Sequence, residues 1–322
     1  MSAQWINPSQ EDIDALLEAK QKGTLCPFIG SGFSKHFGYP TWAELLQRIA
    51  DDPRVAYELP ACASTQNPLE VAEALRHVYA QKNYETVETA IENCLKEPEL
   101  GAVHRDIKAK TLHERAEPSD VHREIRRRFA KLLLDKVSPD ASQPKAEQIA
   151  LLKQLPQLGA ERIFTTNYDS VIKKEIYAGQ ELKVVRNPRK YREVACTQKP
   201  VLLKLHGDKK ALDRVVATHS DYMRFVRDDR FWSSLLLTTF FEYTVVFLGY
   251  GFRDINIHHI HASFLDEYGL AERHKVNSYM VLTTHDKPDG LREQFLRGNS
   301  IIPMRWNGEL GEFIEAFAED RL

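Results

Sequence analysis

The sequence predicts an α/β protein, with a doubly wound, mainly parallel β-sheet and a helical insertion. After residue 160, short runs of β-branched and aromatic residues alternate with segments whose apolar residues recur at helical spacing. That alternation is typical of a parallel sheet covered by helices. Between about residues 42 and 157 the apolar residues recur at helical spacing alone. We therefore expect this block to be inserted after the first strand–loop–helix unit.

The N-terminal half begins with a helix predicted over residues 9–22, with Ser9 as its N-cap and Gly23 as its end. A short buried strand, TLCPFIG, follows. Pro27 favours an edge or early position for this strand, because proline has no N–H for the strand ladder. The helical block then contains the segments WAELLQRIA, LEVAEALRHVYA, YETVETAIENCL, VHREIRRRFAKLLL and KAEQIALLKQL.

The C-terminal half supplies most of the predicted sheet. Its predicted strands are ERIFTT, LKVVR, PVLLKLH, DRVVAT, TVVFLGY, NSYMVLTT and SIIPMRW. Its predicted helices are NYDSVIKKEIYA, DYMRFVRD, FWSSLLLTTFFEY, DINIHHIHASFLDEYG, LREQFLRG and LGEFIEAFAED.

Composition excludes several classes of protein. A net charge of −2 and a pI near 6.6 give no sign of nucleic-acid or acidic-membrane binding. The four cysteines are widely spaced with no CxxC pair, so we expect buried thiols and no structural zinc site. The N-terminus does not read as a signal peptide, and no window has eighteen uncharged apolar residues. These features predict a soluble cytoplasmic protein.

The stretch PFIGSGFSKHFGYPTW places two glycines between the first predicted strand and the next helix. Gly30 and Gly32 permit close backbone approach, and N–H groups at a helix start favour phosphate. Ser31 and Ser34 add hydroxyl groups. The spacing matches neither GxGxxG nor the P-loop. A turn that only connects strand to helix is an equal alternative.

Three further strand ends carry polar or glycine residues: Thr165 to Asp169, His206–Gly207, and Gly249–Tyr250–Gly251. Ligands of open parallel sheets bind outside the carboxyl ends of the strands. Each motif also has a simpler interpretation: Asn167 as a helix cap with Asp169 in the first turn, His206 as a core residue, and GYG as a turn. Their convergence on one edge favours a binding site.

Together these residues resemble the sirtuin family. Gly30–Ser34 is similar to the family's GAG-x-S loop, Gly38–Pro40 to its Gly-Ile-Pro element, and Thr165–Asp169 to its Thr-Gln-Asn-Ile-Asp motif. His206–Gly207 matches its His-Gly pair, and Gly249–Gly251 stands in place of its Gly-Thr-Ser. PTW, TTNYD, VVATHSDYMRF and LGYGFRD look like the bacterial sirtuin-like branch found in antiviral defence.

The resemblance implies that NAD is bound in a Rossmann-like crevice and that its nicotinamide–ribose bond is cleaved. Residues 1–42 would begin the NAD-binding domain, 43–157 would be the helical insertion, and 158–322 would complete the catalytic domain. The implied catalytic residues are Asn167, His206 and Asp169. The implied NAD-binding residues are Gly30, Ser31, Gly32, Phe33, Ser34, Trp42, Thr166, Gly249, Tyr250 and Gly251. Trp42 would shield the reacting face, with a core tryptophan as the equal alternative.

Departures from the family pattern indicate which reaction to expect. Deacylating sirtuins usually carry a four-cysteine zinc module after His-Gly, whereas KKALDRVV stands here, and no FGE-type segment is found. Their Asp-Phe-Arg is replaced by Thr41–Ala43, and the Gln of the Asn motif by Thr166. We therefore expect hydrolysis of NAD to nicotinamide and ADP-ribose, with water as acceptor. The alternatives are a non-catalytic NAD or ADP-ribose sensor or assembly subunit, and an NAD-dependent deacylase.

A toxic NAD hydrolase must be held inactive until it is needed. The resemblance therefore implies a homo-oligomer in an abortive-infection type of antiphage defence. A separately encoded partner, such as an ATPase or nuclease, would gate it.

Two other motifs have simpler interpretations. His258 and His261 could share a metal, but surface or interface packing is favoured because no carboxylate or cysteine partner is evident. The basic run REIRRRFAK is typical of a solvated helix face.

Overall fold

The computed structural model describes residues 9–60, 67–96, 118–140, 146–195, 197, 199–228, 230–252, 254–268, 278–286 and 289–322. The backbone contacts divide the chain into two compact units. The first unit comprises residues 1–41, 138–216 and 222–322, and the second comprises residues 42–137 and 217–221. The domain boundaries given above, at 42/43 and 157/158, stay predictions.

The first unit is built on a seven-stranded sheet. Its strands are β1 Leu25–Ile29, β2 Arg162–Thr165, β3 Lys183–Val185, β4 Val201–Lys204, β5 Thr244–Leu248, β6 Ser278–Leu282 and β7 Ile301–Arg305. The order is β3-β4-β2-β1-β5-β6-β7, and every pair of neighbouring strands is parallel. β1 therefore lies at the point where the strand order reverses, as in a doubly wound sheet. The predicted fold class is confirmed.

Helices of the first unit are α1 Gln10–Gln21, α2 Ser31–Lys35, α6 Ala146–Leu152, α7 Tyr191–Ala195, α8 His219–Asp228, α9 Arg230–Glu242, α10 Ile255–Tyr268, α11 Gly290–Gly298 and α12 Leu310–Ala318; α8 starts within the segment 217–221 of the second unit. Ser9 caps α1 as predicted, since its hydroxyl accepts from the Asp12 N–H. The core under the sheet is apolar and includes Leu16, Phe33, Ile163, Leu248 and Phe313, each at most 1% exposed.

The second unit contains α3 Trp42–Ala50, α4 Pro68–Lys96 and α5 Pro118–Lys136. The segments LEVAEALRHVYA and YETVETAIENCL form one helix, α4, instead of the two predicted. On α5 the basic run is paired along its own helix: Arg127 and Arg128 contact Glu124, and Arg123 contacts Asp120. Such pairs at i, i+3 and i, i+4 suit a helix surface.

Pro27 lies in the middle of the sheet, so the prediction of an edge or early position was wrong. β1 pairs β5 along its whole length, including Pro27 with Val246, but it pairs β2 only at Phe28 and Ile29. Pro27 therefore lies outside the part of β1 that pairs with β2, so its missing N–H removes no hydrogen bond between these two strands.

Two other segments differ from prediction. DRVVAT forms no strand, and its first two residues belong to a short 3₁₀ turn, Leu212–Arg214. NYDSVIKKEIYA forms only a single wide helical turn, Ile172–Ile176.

Among the cysteines, Cys26 is a buried free thiol whose pKa is raised to about 12 by burial. Cys62 and Cys196 lie outside the described residues. No helix in the described ranges has the length and apolarity to cross a membrane.

His261 is fully buried, so the expectation of surface packing was wrong for this residue. Its ring packs against Phe240, Phe252 and Phe264. Burial, with a smaller contribution from nearby His258, lowers its pKa from 6.5 to about 4. Between those two values the unfolded chain binds a proton that the folded chain does not.

We therefore expect His261 to make the fold acid-sensitive. Its contribution to stability is fully present above pH 6.5 and is lost as the pH falls toward 4. The loss by pH 4.5 should be about 2–3 kcal/mol in the free energy of unfolding. Urea unfolding of the wild type and of His261→Phe at pH 7 and pH 4.5 checks this. An equal pH effect in both proteins would contradict it.

Candidate functional site

The four strand ends that carry the predicted motifs are neighbours in the sheet. β4, β2, β1 and β5 lie side by side and parallel, so their carboxyl ends share one edge. The structure therefore brings Gly30–Ser34, Thr165–Asp169, His206 and Gly249–Gly251 to the same edge of the sheet. It is also the edge where ligands bind in such sheets.

The glycines after β1 and β5 pack against each other. The N–H groups of Gly30 and Gly32 donate to the carbonyls of Leu248 (3.0 Å) and Gly249 (2.9 Å). A Cβ on Gly30 would lie 2.5 Å from the Gly249 carbonyl oxygen, and one on Gly249 would lie 2.3 Å from the Phe33 nitrogen. Gly249 also has a positive φ of 57°. The glycines are thus required by loop-to-loop packing, and two of the predicted phosphate donors already have partners.

Asn167 is fixed against the loop that follows β1. Its side-chain Nδ2 donates to the Gly30 carbonyl at 2.9 Å and to the Ser34 hydroxyl at 3.0 Å. Its own N–H donates to Thr165 Oγ1, which in turn donates to the carbonyl of Ile29. The amide is therefore held at the end of β2 with its orientation set by hydrogen bonds, and the residue is half-buried.

Asp169 makes a local turn and does not lie in the first turn of a helix capped by Asn167, so that simpler interpretation was wrong. Its Oδ1 accepts from the Val171 N–H at 2.9 Å, which forms an Asx turn at the end of residues 166–171, the Asn167 loop. The residue remains half-buried. A catalytic role for Asp169 stays a prediction.

His206, at the end of β4, is 3% exposed. Its Nε2 lies 3.2 Å from Oδ2 of Asp254, and the rings of Tyr222 and Phe225 meet it edge-on. The Nε2–Oδ2 distance is within hydrogen-bond range, although the two groups are not aligned as a hydrogen bond.

The remaining predicted residues occupy varied positions. Ser31 is exposed and Thr166 half-buried, whereas Phe33 and Ser34 are buried. The Tyr250 ring stacks on Phe247 and packs at a tilt against Phe28, and burial raises the pKa of its phenol well above the ordinary value. Gly251 is exposed and its carbonyl accepts from Arg292. Trp42 begins α3 in the second unit, so its shielding role stays a prediction.

A cavity of about 350 Å³ lies beside Gly251. It is lined by Gly251, Phe252, His258, Arg292, Phe295 and Leu296, so Gly251 is the one predicted site residue among them. Nε2 of His258 contacts the Phe252 carbonyl at 2.6 Å. No metal-binding group of three or more His, Cys, Asp or Glu residues occurs in the described part of the chain.

Lys204 is a residue that the sequence reasoning missed. It is 2% exposed, and its Nζ donates to the carbonyls of Tyr168 (3.0 Å) and Asp169. Nζ also lies 3.2 Å from Asp208, which pairs with Arg186 at the end of β3. Burial lowers the pKa of Lys204, against the opposing effect of Asp208. The one signal in the sequence is a lysine inside the apolar run VLLKL.

We expect Lys204→Met to loosen the Asn167 loop. The variant removes the donor to the carbonyl oxygens of Tyr168 and Asp169. It also removes one of the two ion-pair partners of Asp208, so that Arg186 remains. The free energy of unfolding should fall by about 2–4 kcal/mol. Chemical denaturation measures the change. The matched control is Lys183→Met at the exposed first residue of β3, which should change the free energy of unfolding by under about 0.5 kcal/mol. Equal losses in both variants would contradict the assignment.

Comparison with known proteins finds a match over part of the chain. The family model described as the SIR2-like domain matches residues 161–304. This similarity covers less than half of the chain. The match includes the strands β2 to β6, with the Asn167 loop, His206 and Gly249–Gly251 at their ends. The resemblance inferred from the motifs is therefore confirmed.

The chain is also similar to curated bacterial proteins. It matches "NAD(+) hydrolase ThsA" of Enterococcus faecium at 26% identity over 247 residues, which is 76% of this chain and 40% of that protein. "NAD(+) hydrolase ThsA" of Cytobacillus dafuensis is 26% identical over 136 residues, 42% of this chain and 26% of that protein. "Defense-associated sirtuin 2" of Bacillus subtilis is 34% identical over 100 residues, 30% of this chain and 10% of that protein. The matches therefore span 40% of these relatives' length or less.

Proposed function

We propose that the protein is an NAD glycohydrolase that cleaves NAD to nicotinamide and ADP-ribose. The observation that supports this most is the fixed Asn167 amide at the end of β2, beside the β4 end that presents His206. Nucleotide binding alone does not need that pair. The names of the two ThsA relatives, which describe NAD hydrolases, support the same reaction.

In the proposed reaction the bond between C1′ of the ribose and the ring nitrogen of nicotinamide in NAD breaks. Nicotinamide leaves with the bonding electron pair, as a neutral molecule. Water adds to C1′ and loses one proton. We assign the base that takes a proton from the water or from a ribose hydroxyl to His206. Asn167 orients the ribose and the water, and Asp169 accepts from the carboxamide of nicotinamide.

We assign NAD binding to the loop Gly30–Ser34 and to Thr166 and Gly249–Gly251. Ser31 offers an exposed hydroxyl for the pyrophosphate, while the packed glycines shape the loop. Trp42 would cover the reacting face. The proposal needs no zinc, because KKALDRVV replaces the cysteine module of deacylating relatives.

We further propose that the protein depletes NAD as an effector of bacterial antiphage defence, by abortive infection in the cytoplasm. The name "Defense-associated sirtuin 2" of one relative supports a role in defence. A toxic activity needs restraint. We therefore propose a homo-oligomer, with a separately encoded gating partner such as an ATPase or nuclease. Residues 43–157 would act as a helical lid and assembly surface inserted into the catalytic domain, whose parts are 1–42 and 158–322.

Incubation with NAD in H₂¹⁸O, followed by mass spectrometry of the products, tests the reaction type. We expect ADP-ribose carrying one ¹⁸O, with or without an added acetyl-lysine peptide. Loss of the acetyl group from the peptide, with formation of O-acetyl-ADP-ribose, would favour the deacylase. Recovery of bound but intact NAD would favour a sensor or assembly subunit.

A further inference from the structure

The surroundings of His206 contain a carboxylate to which neither the motifs nor the comparisons assign a role. Asp254 immediately precedes α10, 48 residues after His206 in the chain. Its Oδ2 lies 3.2 Å from His206 Nε2, and its side chain is 7% exposed. A buried carboxylate beside an imidazole needs partners to offset its desolvation.

The two oxygens of the Asp254 carboxylate have different partners. Oδ1 accepts from the N–H groups of Asn256 (3.0 Å) and Ile257 (3.4 Å), so it caps α10. Oδ2 accepts from the Tyr222 hydroxyl at 3.2 Å and faces His206. The N-terminal end of a 14-residue helix also favours a negative charge at this position. Asp254 is therefore held from both sides.

Tyr222 connects the carboxylate to the imidazole a second time. Burial, and then the charge of Asp254, raise the pKa of its phenol well above the ordinary value, so the hydroxyl keeps its proton and donates. The Tyr222 ring meets the His206 ring edge-on with 5.1 Å between centroids. One tyrosine thus restrains both members of the pair.

We propose that Asp254 is a positioning residue for His206, steadied by Tyr222. The inference rests on the proposed function, in which His206 is the base. A carboxylate facing Nε2 favours the proton on that nitrogen, so Asp254 sets the tautomer and the orientation of the ring. Asp254 acts through His206 and touches no part of the substrate in this assignment. The competing explanation is that Asp254 only caps α10.

Asp254→Asn separates the two explanations, because asparagine caps a helix as well as aspartate does but carries no charge. We expect kcat for NAD cleavage to fall at least about tenfold, with KM for NAD within about twofold. Tyr222→Phe keeps the ring and removes the hydroxyl, and should lower kcat less, by about three- to tenfold. Asp289→Asn is the matched control, since Asp289 Oδ1 caps α11 through Leu291 and Arg292 in the same way.

A second readout does not depend on turnover. In protein labelled with ¹⁵N-histidine, the signals of His206 are identified by their loss in His206→Ala. We expect the Nε2–H tautomer in the wild type and a changed tautomer population in Asp254→Asn and Tyr222→Phe. Unchanged spectra in both variants, or an unchanged kcat in Asp254→Asn, would overturn the inference. A wild type without NAD turnover, both alone and with an extract of phage-infected cells as the source of a trigger, would instead overturn the proposed function, and the spectra would still decide the role of Asp254.

Discussion

Asn167→Ala and His206→Ala should each lower the rate of NAD cleavage by at least about 10²-fold, because each removes a group proposed to act on the reacting atoms. Asn167→Ala also removes the hydrogen bonds to Gly30 and Ser34, so a loss of about 1–3 kcal/mol in stability is expected beside the loss of rate. Steady-state release of nicotinamide, together with thermal unfolding, measures both effects.

Matched controls for these variants lie on the same unit, outside the four strand ends that carry the motifs. The side-chain Nδ2 of Asn299 donates to the Phe295 carbonyl on α11, and His285 is an exposed partner of Glu309. Asn299→Ala and His285→Ala should keep the wild-type rate within about twofold. A wild-type rate in either Asn167→Ala or His206→Ala would remove that residue from the proposed mechanism.

Gly249→Ala should be the most destabilising small substitution at the candidate site. An alanine at a φ of +57° costs about 1–2 kcal/mol of backbone strain. Its Cβ would also lie 2.3 Å from the Phe33 backbone nitrogen, so the backbone would have to shift to make room. Overpacking adds about 1–3 kcal/mol. We therefore expect a total loss of about 2–5 kcal/mol in the free energy of unfolding, measured by urea denaturation, and reduced NAD cleavage.

Gly179→Ala separates the two causes. Gly179 has a φ of +73°, but no atom lies within 4 Å of the position that an alanine Cβ would take, so only the backbone cost of about 1–2 kcal/mol applies. The difference between the two variants isolates the packing of the β1 loop against the β5 loop. Equal losses would mean that this packing contributes nothing to stability.

The sequence was sufficient to predict those parts of the fold that depend on local pattern. Alternating strands and helices predicted the parallel sheet, and the position of each motif after a strand placed Asn167 and His206 at one edge. Pro27 was misplaced because a strand residue without an N–H is tolerated in mid-sheet where one ladder is short. DRVVAT has strand-forming residues, yet its structure is set by tertiary contacts such as the Val216 N–H to the His206 carbonyl.

The supporting contacts of the site could not be predicted, because each joins residues far apart in the chain. Gly30 meets Gly249, Lys204 reaches back to the Tyr168 carbonyl, and Asp254 meets His206. A glycine motif alone gives no indication that its N–H groups are used by a neighbouring loop. Likewise, a lysine in a strand run gives no indication of which carbonyls it will satisfy.

The most direct test of the central claim is the product balance of purified wild-type protein incubated with NAD and analysed by chromatography. We expect nicotinamide and ADP-ribose to appear in equal amounts, one of each for every NAD consumed. NAD recovered intact after saturable binding, both with the purified protein alone and with an extract of phage-infected cells added, would rule out the proposed hydrolase.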